Sequence, residues 1–286
     1  MKKTFPIFNQ ILKLDCLANK TVLITGGATG LGKAMANHYA ANNVNTIICS
    51  RNKERLKETT ELINNTYPNR VSYYSVDVAD NDSVKNLFYE LDKDNNKPDI
   101  LINNAAGNFI SKTEDLSVNA INKVIDIVLK GTVNMTMNFG KDFFNNDKYG
   151  CILNISALYA ETGTSFVVPS SISKSGINNL TKSLSVEWGK YGIRTLAVAP
   201  GSIYTKGAFS RLDPTGDFVK RLNMVNPSGR LGNTSELANL VTFLTSDYCH
   251  WLNGEIINFD GGENNFRCGQ LNELNNLPDD FWKMIK

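Results

Sequence analysis

Apolar residues along the chain fall into short unbroken runs, separated by stretches in which they recur every three or four positions. The runs Thr21–Thr25, Thr46–Cys49, Val71–Val76, Asp99–Ile102, Cys151–Ile155, Thr195–Ala199 and Glu255–Phe259 have the length and β-branched content of strands. Between them the spacing predicts helices starting near Gly30 and spanning about Lys53–Asn65, Asp82–Leu91, Ser117–Phe144 and Ser170–Trp188. In the fourth of these, Ile121, Val124, Ile125 and Val128 form one apolar stripe. Strands that are apolar on both faces and alternate with helices belong to a parallel sheet covered on both sides. Right-handed crossovers then leave a doubly wound, seven-stranded parallel Rossmann sheet of α/β class in a single domain.

That pattern occupies residues 18–262. Before it lies an N-terminal arm, 1–17, and after it a C-terminal tail, 263–286. The segment 200–225 leaves the sixth strand at its carboxyl end, where ligands bind in such sheets, and is read as a substrate loop.

Composition narrows the function classes. A net charge of +2 in 286 residues gives no electrostatic basis for nucleic-acid binding or for an anionic membrane surface. No apolar run reaches the length of a membrane span. The five cysteines are odd in number and form no CxxC pair, and His38 and His250 are the sole histidines. A disulfide framework, a metal site and a Ser-His-Asp triad therefore lack material, and a reducing compartment is expected rather than secretion. The first fourteen residues carry three lysines and no acid, which fits either a packed arm or the remnant of a targeting helix.

Thr25-Gly26-Gly27-Ala28-Thr29-Gly30-Leu31-Gly32 follows the first strand and opens the first helix. Glycines there let the main chain approach a pyrophosphate, which meets the N–H groups and partial positive charge of the helix terminus. Gly26, Gly27, Ala28, Thr29, Gly30 and Leu31 are thus candidate dinucleotide-binding residues. Arg51 ends the second strand, where an acid would select a free ribose hydroxyl and an arginine pairs with a 2′-phosphate; this points to NADP(H). Asp77, just after the third strand, either hydrogen-bonds the adenine or caps the next helix.

The TGxxxGxG turn, Asn103-Asn104-Ala105-Ala106-Gly107 and Pro200-Gly201, in this order, resemble the short-chain dehydrogenase/reductase family over about Leu17–Gly262. The resemblance implies that Asn103–Gly107 supports the sheet beside the cofactor. It also implies that Pro200, Gly201, Ser202 and Ile203 lie near the nicotinamide, and that the chain forms a homotetramer through its two long helices. The departures from the family pattern are specific. Lys174 is present on the expected helix, but Ser170 stands four positions earlier where the family has tyrosine, Ala157 replaces its serine and Val128 its asparagine.

Tyr159 lies just past the fifth strand. The segments NNAAGNFIS (103–111), YAETG (159–163), FVVPS (166–170), EWGKYG (187–192) and KGAFSRLDPTG (206–216) are similar to the branch of the family that reduces 2,4-dienoyl-CoA thioesters with NADPH in unsaturated fatty acid β-oxidation. This implies a fatty acyl-CoA partner and an oxyanion held by Tyr159 and Asn108, with Lys174 on the nicotinamide ribose. Ser170 would serve the proton network, and Phe109, Ser117 and Arg211 would contact the acyl-CoA. Two alternatives stay open: a 3-oxoacyl thioester reductase using Tyr159 as its acid, and a non-catalytic NADP-binding scaffold or sensor. The branch places the protein in the mitochondrial matrix of a eukaryote, or otherwise in the cytoplasm; Met284-Ile285-Lys286 is not an SKL-type peroxisomal address.

Overall fold

The computed structural model describes residues 17, 19–145, 148–205, 207, 213 and 215–285. Nearly all of the arm expected at 1–17 lies outside the described residues, as does Arg211. Seven parallel strands form one sheet in the order β3-β2-β1-β4-β5-β6-β7. They are β1 (Thr21–Thr25), β2 (Asn45–Ser50), β3 (Val71–Ser75), β4 (Ile100–Asn103), β5 (Gly150–Ile155), β6 (Ile193–Pro200) and β7 (Ile256–Phe259). Each predicted run is a strand, the first with the predicted boundaries and the others within two residues of them. The order reverses at β1, whose neighbours are β2 and β4, so a crevice opens beyond the carboxyl ends of β1 and β4.

Helices cover both faces. On one side α1 (Gly30–Ala41), α2 (Lys53–Thr66) and a helix over Thr234–Thr245 bury Met35, Leu56, Ile63 and Leu237 against the sheet. On the other, α3 (Asn81–Lys93), α5 (Gly131–Gly140) and α7 (Val168–Glu187) bury Leu87, Met135, Phe139 and Leu184. The single long helix expected from Ser117 to Phe144 is shorter and interrupted. It runs as α4 (Val118–Ile125), one π turn over Asp126–Lys130, and α5. The apolar stripe cannot reveal a π turn, because the three-and-four spacing survives on either side of it. Helix α7 begins two residues before the expected Ser170, with Pro169 in its first turn, where a missing N–H costs nothing. The tail is not featureless: short helices form at Glu263–Cys268 and Asp279–Met284.

Polar side chains inside the molecule fix these layers to one another. Asn103 Nδ2 donates to Asn154 Oδ1 (2.9 Å) and Thr136 Oγ1 (3.0 Å), and Asn154 Nδ2 donates to Thr181 Oγ1 (2.9 Å). All four residues are buried, so this seam ties β4 to α5 and β5 to α7. Thr25, at the end of β1, accepts the backbone N–H of both Asn104 and Ala105 on its hydroxyl, each at 2.9 Å, and locks the loop after β4 beside the glycine turn. Replacing it by the isosteric valine strands two N–H donors. Urea unfolding of Thr25→Val is expected to show a loss of about 2–4 kcal/mol, whereas wild-type stability would mean that the hydroxyl does not hold the loop.

Candidate active site

The glycine turn is built around two close approaches. Gly26 has φ +66°, and a Cβ at Gly32 would stand 2.4 Å from the Gly26 carbonyl oxygen. No side chain fits there, so the start of α1 lies directly on the turn. A cavity of about 290 Å³ opens above it. Gly26, Ala28, Thr29, Arg51 and Asp77 all line it, together with Ala105 and Ala106 from the loop after β4. Five of the predicted cofactor residues thus converge. Gly27 packs on Ile48 behind the turn, and the Leu31 side chain joins the core on the other side of α1.

Arg55 lines the same cavity and was not anticipated. It sits in the first turn of α2, four residues after Arg51, where an arginine in a polar helix reads as solvated surface. Neither guanidinium has a carboxylate partner among the described residues. Two unpaired positive charges one turn apart at a helix N-terminus repel each other and the helix dipole, an arrangement that a bound dianion relieves. Asp77 does not cap α3, since Asp80 does. Asp77 instead accepts the Ala79 N–H at 3.1 Å while lining the cavity. The glycine cradle and the two free arginines fit a dinucleotide carrying an additional phosphate.

The second half of the site lies where β5 ends. Tyr159 opens a single helical turn, α6 (Tyr159–Thr162), and hydroxyls on α7 dock that turn. Ser171 Oγ donates to the Tyr159 carbonyl at 3.0 Å, and Ser175 Oγ donates to that of Ala160. The Tyr159 phenol itself meets the hydroxyl of buried Ser170 at 3.1 Å. Ser170 is the phenol's partner, inside the first turn of α7. One turn further, buried Lys174 donates from Nζ to the Ile155 carbonyl at the end of β5. Val128 lies in the π turn, buried with Val124 against Ile177 of α7.

Other predicted residues are less tightly gathered. Asn108 and Phe109 are exposed on the loop after β4, and Asn108 has no side-chain hydrogen bond among the described residues. Ser117 is exposed and caps α4, accepting the Ala120 N–H at 3.2 Å. Pro200 ends β6, the Gly201 N–H donates to Phe259 (3.0 Å), and buried Ile203 bridges to Gly232. The Ser202 N–H points at Glu263 Oε2 (3.4 Å), a buried carboxylate that also pairs with Arg267. No sequence signal marked Glu263. A second cavity, about 300 Å³, lies at the opposite end of the sheet, around the first residues of β4, β5 and β6. Its charged groups are already used: Asp99 accepts the Thr21 N–H, and Arg194 donates to three backbone carbonyls. The chemistry belongs to the carboxyl end.

A dinucleotide cradle joined to a hydroxyl–lysine cluster on the helix after β5 defines an oxidoreductase of the short-chain dehydrogenase/reductase family, and the chain belongs to that family. A family profile described as Enoyl-(Acyl carrier protein) reductase matches residues 26–264. The chain is similar to a Caenorhabditis elegans protein named probable 2,4-dienoyl-CoA reductase 3 [(3E)-enoyl-CoA-producing], with 45% identity over 94% of this chain and 88% of the relative. It is 40% identical to a Bacillus subtilis protein named probable 2,4-dienoyl-CoA reductase [(2E)-enoyl-CoA-producing], over 86% of this chain and 97% of that one. Among solved structures, a short-chain dehydrogenase from Bacillus anthracis superposes with TM-score 0.79 at 39% identity, covering 88% of this chain and 98% of that one.

Burial pushes the Lys174 amine down to about 8. The unfolded chain therefore holds this proton more tightly than the native state between about pH 8 and 10.5, and this group's contribution to stability rises with pH across that window. The buried thiols act oppositely, because burial raises Cys49 to about 12 and Cys151 to about 11. The comparison must therefore be wild type against Lys174→Met. Urea unfolding at pH 7 to 10 is expected to show the difference moving in favour of wild type as pH rises; a constant difference would mean the amine is not desolvated.

Proposed function

We propose that the protein reduces 2,4-dienoyl-CoA thioesters with NADPH. The observation that carries this reading is the Tyr159–Ser170 contact: the one phenol at the end of β5 sits on α6, displaced from the family's usual place on α7, which Ser170 occupies. A carbonyl reductase of the ordinary family type needs a phenol four residues before the lysine, to move a proton to or from the substrate oxygen. Here that position holds an aliphatic hydroxyl.

When bound, NADPH supplies hydride to the δ-carbon of the diene. Arg51 and Arg55 would hold its 2′-phosphate, Gly26–Thr29 its pyrophosphate and Lys174 the nicotinamide ribose. The residues of this chain then manage the charge that gathers on the thioester oxygen. A phenol O–H is a neutral donor, and Tyr159 directs it at that oxygen with Asn108 as second donor. Ser170 hydrogen-bonds the phenol and links it to the Lys174 turn, which resupplies the proton taken up at the α-carbon. Protonation there leaves a 3-enoyl-CoA, the product in the name of the Caenorhabditis elegans relative; protonation at the γ-carbon gives the 2-enoyl product in that of the Bacillus subtilis one. Val118, Met137, Ile172 and Val186 stand exposed on the two long helical segments, apolar surface that assembly as a homotetramer through those helices would cover.

Three assays test this. With NADPH and a 2,4-dienoyl-CoA, the expected result is turnover to the 3-enoyl product, identified by NMR of the isolated thioester. Tyr159→Phe should lower kcat by about 10²–10³, as loss of one oxyanion donor does. Turnover of 3-oxoacyl-CoA in place of the diene would favour the carbonyl reductase, and NADPH binding without turnover of either would favour the scaffold. For the cofactor, Arg51→Ala and Arg55→Ala should each raise KM for NADPH at least about tenfold and leave that for NADH nearly unchanged. Equal losses with both dinucleotides would place the arginines elsewhere.

A further inference from the structure

Five non-glycine residues among those described have positive φ. Four are asparagines, at 19, 43, 69 and 95, the residue whose short amide tolerates the left-handed region. The fifth is Phe166, at φ +66°. A bulky aromatic has no local hydrogen bond to offset its Cβ there, so the position is strained. The ring does not compensate by joining the core, because Phe166 is 53% exposed. The strain is nevertheless held in place: the Phe166 carbonyl accepts the Ser111 N–H at 3.0 Å.

That hydrogen bond joins two loops at the carboxyl end of the sheet. One, residues 163–167, connects α6 to α7 and so lies between Tyr159 and Ser170 in the chain. The other follows β4 and carries Asn108, Phe109 and Ile110. Phe109 is 49% exposed and Ile110 59%. Three large apolar side chains therefore stand in solvent on two tethered loops, one of which closes at the Tyr159–Ser170 contact. A chain that places asparagine at its other strained non-glycine turns gains nothing in folding from phenylalanine at this one. Strain kept at a functional rim, with exposed apolar surface, indicates a ligand that covers it. The ligand must be apolar and must reach the rim from a group held at Tyr159.

Resting on the dienoyl-CoA reading, we propose that Phe166 is a specificity-determining residue that contacts the alkyl part of the acyl chain beyond the diene, on an apolar rim shared with Phe109 and Ile110. The strained φ presents the ring outward to that chain rather than inward to the core.

The test uses Phe166→Asn, which relieves the strain and removes the apolar ring, and Phe166→Leu, which keeps an apolar side chain and the strain. Thermal unfolding and kinetics with a six-carbon and a ten-carbon 2,4-dienoyl-CoA are measured for each. For Phe166→Asn, Tm should stay level or rise by about 2–4 °C. Its kcat/KM should fall about tenfold more for the ten-carbon than for the six-carbon substrate, with the loss in KM and with KM for NADPH unchanged. Phe166→Leu should keep the wild-type chain-length ratio within about threefold. A drop in Tm for Phe166→Asn would show that the ring serves the fold, and equal effects on both substrates would show that it does not touch the chain; either overturns this inference alone. Wild-type protein that turns over neither thioester overturns the proposed function and this inference together.

Discussion

The docking of one helical turn on another governs this site. Helix α6 is four residues long, too short to persist without tertiary support. Its place is set by the hydroxyls of Ser170, Ser171 and Ser175, which meet the Tyr159 phenol and the carbonyls of Tyr159 and Ala160. Because all three serines lie in the first turns of α7, the phenol is held by the same helix that presents Lys174. That helix is in turn anchored from beneath: Thr181 receives Asn154 of β5, and Asn178 accepts from Ser156 Oγ at 2.5 Å. Lys174 thus keeps the family's place on the helix after β5, and the Tyr159 phenol on α6 is tied to Ser170, which stands where the family has tyrosine.

This rearrangement changes which chemistry is favoured. A phenol on α7 beside the lysine suits proton exchange with an alcohol oxygen. A phenol on α6, hydrogen-bonded to an aliphatic hydroxyl, suits donation to an oxygen whose charge is transient. The amine of Lys174, on the same helix as Ser170, is desolvated and donates to the Ile155 carbonyl. The adenosine end follows separate logic. There the sheet reversal at β1, the Gly26–Gly32 approach and the Arg51–Arg55 pair prepare an anion-binding pocket whose two guanidinium groups have no carboxylate partner among the described residues.

Much of this was legible in the residues. Continuous apolar runs such as TVLIT and CILNI marked strands of a buried sheet, and the glycine spacing after β1 marked the cradle. Arg51 was visible because the end of β2 has one known use in such sheets; Arg55 was not, since a charged residue in a polar helix looks like any solvated face. The early start of α7 was signalled by Pro169, which favours the first turn. Other features leave no local trace. The π turn preserves the apolar spacing, a four-residue helix has no period to detect, and only backbone geometry shows that Phe166 is left-handed. Glu263 acquires its role from strand β7 bringing the tail back under Ser202, a long-range consequence of sheet order.

The central claim is that the Tyr159 phenol holds the thioester oxygen. A crystal structure of the protein with NADP⁺ and a 2,4-dienoyl-CoA tests it most directly. The account predicts the Tyr159 hydroxyl within about 2.7 Å of the thioester oxygen, with Asn108 on the other side of that oxygen. A substrate whose thioester oxygen is bound by other groups, with the phenol still turned to Ser170 and away from the diene, would contradict it.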